Sequence, residues 1–285
     1  MRKRRNNTVG QARSWQMAVI AAAALLGSVV PEAGQVVAAM SLQEREPEKA
    51  APGQTTDEDQ IDSKAAAELK KMTTYLDSRE KIIFKIQTTW EAIQDSGMKL
   101  QFETKQEIGI QRPNRAYWST IRNDGKAWRA WYDGNTLTHL DVDENTYVQL
   151  SVPGTLNEML DFVLETFDLP TPPMLDFLYS DTETSFLSEI KRAVYVGECI
   201  QNGKKCYHLA FSKAEVDFQI WIPTDGKPLP VKYSITWTKE PLLPWFVADF
   251  LEWNTEPAFA DGSFTAIMPT GAKRREEPRR VDDDE

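Results

Sequence analysis

Two cysteines and a nearby histidine are the side chains whose types and spacing most directly suggest chemistry. Cys199 and Cys206 lie on either side of Asn202-Gly203, a dipeptide that strongly favours a two-residue β-hairpin turn. A hairpin there would place the two thiols opposite each other, and in an oxidising compartment such a pair predicts a disulfide. A metal site is the alternative, but only His208 adds a third ligand and no fourth is visible, so we predict no metal.

The sequence holds little else that could carry catalysis. His139 and His208 are its two histidines, and both lie in segments with strand character, where a lone histidine most often has a structural role. The Gly-Xaa-Ser-Xaa-Gly nucleophile motif and the glycine motifs of phosphate and dinucleotide binding do not occur in the sequence. We therefore predict that the protein is not an enzyme and needs no cofactor. A hydrolase is retained as the second alternative function.

Composition and charge indicate a globular, acidic protein. The chain has 285 residues, with 33 Lys and Arg against 43 Asp and Glu, a net charge of −10, and 41% of it is hydrophobic. Such a hydrophobic content is typical of a folded domain. A negatively charged surface repels phosphate backbones, so we expect no nucleic-acid partner.

The N-terminus predicts export. Residues 2–5 are basic, residues 17–30 form an uncharged apolar run, and small side chains follow at Val37-Ala38-Ala39. This order is typical of a signal peptide, which we place over residues 1–39, and the apolar run is short for a membrane span. We therefore predict a periplasmic protein with no stable membrane span after cleavage. An uncleaved anchor is the alternative.

The rest of the chain divides into three parts. Residues 40–61 are rich in Glu, Gln, Pro and Thr and predict a disordered linker. Residues 62–272 carry regular apolar patterns and form the predicted folded domain. Residues 273–285 are highly charged without an apolar period, which predicts a disordered tail.

Within the domain, the apolar period is first helical and then that of strands. Ala65, Leu69, Met72 and Leu76 predict a helix, and a second helix is expected over residues 156–167, stopped by the prolines of 169–173 and followed by a short helical turn over 174–179. Alternation with period two predicts about eleven or twelve strands, joined by tight turns. They occupy residues 84–90, 100–110, 115–122, 127–133, 136–142, 146–152, 190–200, 206–213, 216–223, 229–238, 245–253 and 264–267. The fold class is therefore α+β with one strongly curved antiparallel sheet.

Several short strings, taken in order, carry a family resemblance. They are Phe84-Lys85-Ile86, the run from Ile110-Gln111-Arg112-Pro113 to Tyr117-Trp118, Asp133-Gly134-Asn135, Gln219-Ile220-Trp221 and Lys227-Pro228-Leu229-Pro230. Together they resemble outer-membrane lipoprotein carriers of the LolA/LolB type. More specifically, residues 64–272 are similar to a family of predicted exported, periplasmic bacterial proteins in the same superfamily.

The resemblance implies an incomplete, half-open β-barrel whose concave face is covered by helices and holds an acylated ligand. It also implies that Arg112 faces the cavity and helps to hold the helical lid shut. Alternation along the strand agrees, because Arg112 shares its face with apolar residues; an arginine whose head simply reaches water is the alternative. The expected cavity lining is Phe84, Ile86, Trp90, Leu100, Phe102, Ile108, Ile110, Arg112 and Trp118.

The aromatic content points to the same function. Nine Trp, eight Tyr and twelve Phe suit a core, but a sheet of about eleven strands has more inner surface than a few short helices can fill. We therefore predict a non-enzymatic carrier of an apolar or acylated ligand, with envelope proteins as possible donor or acceptor. The first alternative is a ligandless module that binds another envelope protein. The sequence does not identify the ligand.

Overall fold

The computed structural model describes residues 60–94, 96–167 and 173–276. The predicted signal peptide, most of the predicted linker, the prolines at 170 and 172 and the end of the charged tail lie outside these residues. Among the helices within the described ranges, none is both long and apolar enough to cross a membrane.

Within the described residues, twelve strands form one curved sheet in the order β12-β6-β5-β4-β3-β2-β1-β11-β10-β9-β8-β7. All neighbours are antiparallel except β12 and β6, which pair in parallel. The edge strands β12 and β7 do not pair with each other, so the sheet is unclosed, as the sequence predicts. The strands are β1 Lys81–Ile93, β2 Lys99–Gln111, β3 Arg115–Arg122, β4 Ala127–Tyr132, β5 Thr136–Asp141, β6 Thr146–Ser151, β7 Arg192–Gln201, β8 Lys204–Ser212, β9 Val216–Pro223, β10 Lys232–Trp237, β11 Trp245–Asn254 and β12 Lys273–Arg274.

The period-two pattern places one set of side chains on each face of the sheet. In β1, Ile82, Phe84 and Ile86 are buried, whereas Lys85 lies on the other face and contacts Glu252 at 2.9 Å. We call the face that carries the buried set the inner face. The pairing of Phe84 with Ile108 across β1 and β2 continues this face onto the next strand.

Helix α1 (Ser63–Asp77) precedes the sheet, and its start is set by local chemistry. Asp62 Oδ1 accepts hydrogen bonds from the backbone N of Lys64 at 2.8 Å and of Ala65 at 2.9 Å, which satisfies two otherwise unpaired donors. Its apolar side, including the fully buried Leu69 and Met72, joins the core.

A helical insert separates β6 from β7. Its described residues form α2 (Leu156–Thr166), a 3-10 helix (Leu175–Phe177) and α3 (Thr182–Leu187). At the start of α2, the Thr155 side chain caps the helix: its Oγ1 accepts from Glu158 N at 3.3 Å and donates to the Glu158 carboxylate at 2.7 Å. The helix and the short helical turn predicted here are thus confirmed.

Aromatic rings of the insert fill the inner face over β9 to β11. The Phe177 ring centroid lies 5.3 Å from that of Tyr233 and 5.2 Å from that of Phe250, and Phe186 lies 6.0 Å from Phe218. These tilted and edge-on contacts are favourable packing geometries for aromatic rings. This half of the inner face is therefore occupied by the protein's own side chains.

The C-terminal segment departs from the sequence prediction. Residues 264–267 form no strand; Phe264 is instead buried by a local turn, against the rings of Phe259 at 4.7 Å and Tyr117 at 6.1 Å. The last strand is Lys273–Arg274, inside the segment predicted to be a disordered tail. It forms because backbone groups of β6 are unpaired at the sheet edge, and Arg275 N donates to Tyr147 O at 2.8 Å.

Candidate functional site

An apolar cavity of about 100 Å³ lies between the inner face and the helical insert. Strands β2 to β5 form one wall, and α2 with the segment around the 3-10 helix forms the other. Of its lining side chains, only Gln106 and His139 are polar. The complete lining is Gln106, Ile108, Trp118, Ala130, Leu137, His139, Met159, Leu160, Val163, Leu164, Met174, Leu175 and Leu178.

The cavity lies where the inner-face side chains of the strands face the apolar side of α2. Inner-face positions recur every second residue in β3 to β5, and register aligns Ile108 with Trp118, and Trp118 with Ala130. The apolar side of α2 faces them with Met159 and Val163, both buried. Because Ala130 has a small side chain, the wall is recessed at this point.

The nine predicted lining residues are distributed along the whole inner face. Ile108 and Trp118 line the cavity. Phe84 packs instead against Phe250 and Trp253, with ring centroids 6.1 and 4.9 Å away. Ile86 and Ile110 are fully buried in the core. The Trp90 ring stacks on that of Phe102, with centroids 5.8 Å apart. Leu100 is half-buried at one end of β2, and Arg112 lies just beyond the other end.

Arg112 bonds to backbone carbonyls of two different segments. Its Nη1 donates to Arg79 O at 3.1 Å, just beyond the end of α1, and its Nη2 donates to Tyr179 O at 3.0 Å, in the insert. Burial lowers the pKa of the guanidinium from its ordinary value, and the nearby Asp77 carboxylate opposes that shift. Arg112 thus connects the end of β2 to both helical segments.

Asp77, at the end of α1, forms a second connection to the insert. Its Oδ1 accepts from Thr182 N at 2.8 Å and from the Thr182 hydroxyl, and its Oδ2 accepts from Glu183 N at 3.2 Å. These donors belong to the first turn of α3, where a negative charge is favourable. We refer to Arg112 and Asp77 together as the Arg112–Asp77 cluster.

Asp176 and Lys213 are two ionisable groups close to the half of the inner face that the insert's aromatic rings fill. Burial raises the pKa of Asp176, in the 3-10 helix, to about 6, and attraction to Lys213 opposes this. Burial also lowers the pKa of Lys213, whose Nζ donates to Ser185 O at 2.8 Å. The 3-10 helix therefore carries a carboxyl group whose protonation changes at mildly acidic pH.

The two cysteines lie where the hairpin prediction places them. Asn202-Gly203 forms the turn between β7 and β8, and Cys199 is the direct partner of Cys206 in the register. Both are free thiols here. Direct partners in antiparallel strands have Cα atoms about 4.5–5.5 Å apart, a separation compatible with a disulfide. The Cys199–Cys206 disulfide stays a prediction.

The histidines have different surroundings, and neither has the arrangement of a catalytic base. His208 stacks on Trp221 at 4.4 Å and bonds to Gln219 Oε1 at 2.8 Å on the outer face. His139 faces the apolar cavity, and burial, with a smaller effect of Arg275, lowers its pKa to about 4. No group of three metal-ligating side chains occurs within residues 60–94, 96–167 and 173–276.

Sequence reasoning missed much of the cavity lining. Leu137 and His139 alternate along β5, a signal that could have placed them on the inner face. Met159 and Val163 share one side of a helix that was predicted correctly, but nothing local shows which strands that side covers. The cavity wall from the insert therefore required the three-dimensional arrangement.

A curved, unclosed antiparallel sheet with an apolar cavity under a helical insert defines the class of fold. Residues 65–275 match the family described as "Predicted periplasmic protein (DUF2092)". The chain belongs to this family, which confirms both the resemblance and the periplasmic location predicted from the sequence. No curated protein matches the chain.

Several solved structures are similar to this chain. LprF from Mycobacterium bovis aligns with a TM-score of 0.45 and 11% identity, over 75% of this chain and 99% of LprF. Lipoprotein LppX from Mycobacterium tuberculosis aligns with a TM-score of 0.42 and 15% identity, over 70% and 98% of the two chains. An uncharacterized conserved protein from Thermus thermophilus aligns with a TM-score of 0.43 and 8% identity, over 75% and 100%.

Proposed function

We propose that this periplasmic protein is a non-enzymatic carrier that holds an apolar or acylated ligand between its inner face and the helical insert. The observation that supports the proposal is the cavity, whose lining is apolar apart from Gln106 and His139. Each methylene group transferred from water into such a site contributes about 0.8 kcal/mol. Transfer of a hydrocarbon chain from water into this site is therefore favourable.

The size of the cavity indicates how binding would occur. Its volume of about 100 Å³ is smaller than the roughly 300–1,000 Å³ of typical ligand pockets. Uptake of a long chain thus requires α2 to move away from the sheet. We infer that the insert acts as a lid, that the Arg112–Asp77 cluster holds it closed, and that an envelope protein delivers or receives the ligand.

The cavity also bears on the alternative function, a ligandless module that binds another envelope protein. Such a module needs no internal space, and its inner face would be packed throughout. Phe177 and Phe186 fill the inner face only over β9 to β11. The unfilled half, over β2 to β5, favours the carrier.

Val163→Asp tests the proposal, because Val163 is buried in the cavity wall. A carboxylate there is costly to bury beside hydrocarbon, so binding of the apolar fluorophore diphenylhexatriene should fall at least tenfold. Thr166→Asp places the same charge on the exposed end of the same helix and should bind like the native protein. Circular dichroism checks that both variants are folded.

Mass spectrometry of native material gives an independent test. Protein purified from its own periplasm without detergent should carry a lipid or other apolar molecule in the intact-protein spectrum. If the native protein carries no such molecule and does not bind diphenylhexatriene, the carrier function is wrong.

A further inference from the structure

On the inner face of strands β3 to β5, three buried polar atoms have no hydrogen-bond partner among the described residues. They are Thr120 Oγ1 on β3, Trp128 Nε1 on β4 and His139 Nε2 on β5. Thr120 and Trp128 are only 2% and 3% exposed. A buried polar atom without a hydrogen-bond partner destabilises a fold, so three such atoms on neighbouring strands call for an explanation.

Strand register shows that these atoms adjoin the apolar cavity. Thr120 and Trp128 are direct partners across β3 and β4, and His139 is the direct partner of Ala130 across β4 and β5. Thr120 follows the cavity residue Trp118 by two positions, and Trp128 precedes Ala130 by two, so both point to the same face as the lining. His139 itself lines the cavity.

The charges near this group do not suit an ionised ligand. Arg122, the next inner-face residue of β3, is buried and bonds to the Asp124 carboxylate, with Nε 2.9 Å from Oδ1. The low pKa of His139, about 4, leaves its ring uncharged at neutral pH. Asp141, the partner of Trp128, adds a carboxylate on the same face, which repels anions.

We propose that Thr120, Trp128 and His139 bind the uncharged, oxygen-bearing end of the ligand, a hydroxyl or ester group, while its hydrocarbon part occupies the cavity. The inference rests on the proposed function and specifies the ligand class. The indole N–H of Trp128 can only donate, so it requires an acceptor oxygen. The Thr120 hydroxyl and the neutral imidazole can each donate or accept, which suits a hydroxyl group.

The test compares hexadecanol, hexadecane and hexadecanoate as competitors of diphenylhexatriene at neutral pH. We expect the native protein to bind hexadecanol more tightly than hexadecane or hexadecanoate. Thr120→Val and Trp128→Phe each remove one hydrogen-bonding group and should lower the affinity for hexadecanol relative to hexadecane about fivefold to tenfold. His139→Leu should lower the same ratio.

Thermal unfolding of the ligand-free protein separates a ligand-binding role from a structural one. Since the Thr120 hydroxyl has no described partner, Thr120→Val should leave the Tm unchanged or raise it. Thr138→Val is the matched control, because Thr138 is a buried threonine on the outer face of β5 that accepts from Gln149 at 3.4 Å. It should not change the ratio of affinities.

Two results would overturn the inference while the carrier function stands: tight binding of hexadecane with no change of the ratio in the three variants, or a preference for hexadecanoate over hexadecanol. If neither hexadecane nor hexadecanol displaces the probe from the native protein, and the probe itself does not bind, the proposed function fails first and this inference with it.

Discussion

Burial of Asp176 in the 3-10 helix disfavours the ionised form of its carboxyl group. Burial raises its pKa to about 6, above the value of about 4 for an exposed aspartate. A raised pKa in the folded state means that the folded protein holds this proton more tightly than the unfolded chain. The contribution of Asp176 to stability is therefore most favourable below about pH 4 and is lost as the pH rises through about 6.

Replacing this carboxyl group should change the pH dependence of stability. We expect Asp176→Asn to become more stable relative to the native protein as the pH rises from about 4 to about 7, because the amide cannot ionise. Urea unfolding at a series of pH values measures the difference. Asp225→Asn, in an exposed turn, controls for the loss of one negative charge. A difference between Asp176→Asn and the native protein that is constant with pH would contradict this account.

Single residues also show what the sequence can and cannot predict. Alternation in β2 predicts Arg112 at the end of the apolar face, and its need for acceptors is met by Arg79 O and Tyr179 O; its place in the cavity lining stays a prediction. His139 was assigned a structural role, because a lone histidine in a strand carries no local sign of the cavity beside it. Its position depends on which helix covers β5, and that is a property of the whole fold.

Among the secondary-structure elements, α1 and α3 are connected by the Asp77 side chain, in addition to the Lys70–Glu183 ion pair at 2.9 Å. Asp77 lies at the end of α1 and accepts hydrogen bonds from Thr182 and Glu183 in the first turn of α3. Removal of such an acceptor leaves several donors without a partner. It also removes a negative charge close to Arg112.

Asp77→Ala should therefore lower the free energy of unfolding by about 1–3 kcal/mol, the range for charged hydrogen bonds and helix caps. Asp77→Asn keeps one acceptor oxygen and should cost less. Urea unfolding measures both. Asp62→Ala is the matched control, because Asp62 caps α1 alone. This variant should lower the free energy of unfolding by about 1 kcal/mol and leave diphenylhexatriene binding unchanged. Asp77→Ala, in contrast, should change diphenylhexatriene binding. Equal effects of both alanine variants on probe binding would contradict a role in holding the insert.

Elements set by local chemistry were the ones predicted best. The starts of α1 and α2 and the Asn202-Gly203 turn depend on neighbouring residues, and both helices and the hairpin occur as predicted. The segment 264–267, predicted as the last strand, forms turn and irregular structure. Phe264 is buried through contacts with Phe259 and Tyr117 instead, and a contact between distant segments has no local signal.

At the scale of the whole molecule, the two halves of the inner face differ. Phe177 and Phe186 occupy the half over β9 to β11, whereas α2 covers the half over β2 to β5 and leaves the cavity. The sequence predicted an incompletely filled inner face from its surplus of strands over helices. Which half is filled depends on where the insert docks, and this could not be read from periodicity.

The insert is held together by its own hydrogen bonds, which bears on how it would open. The Tyr179 hydroxyl donates to Asp161, and Asn157 Oδ1 accepts from Ser180 N at 3.0 Å, so α2 is tied to the segment that follows the 3-10 helix. Arg112 binds that same segment from the sheet side. Loss of Arg112 should thus release α2, the 3-10 helix and α3 together and leave the central strands intact.

Hydrogen exchange followed by mass spectrometry can detect this behaviour. In Arg112→Leu we expect faster exchange in peptides from α2 and from residues 173–188, with unchanged exchange in β1 and β2, since local opening requires less free energy than global unfolding. Arg129→Leu, which removes an exposed arginine from the outer face of β4, should exchange like the native protein. Faster exchange in β1 and β2 as well would indicate general destabilisation, and a change confined to α3 would show that the insert does not open as a unit.

Bound ligand should slow exchange in α2, because the closed insert then covers hydrocarbon that would otherwise meet water.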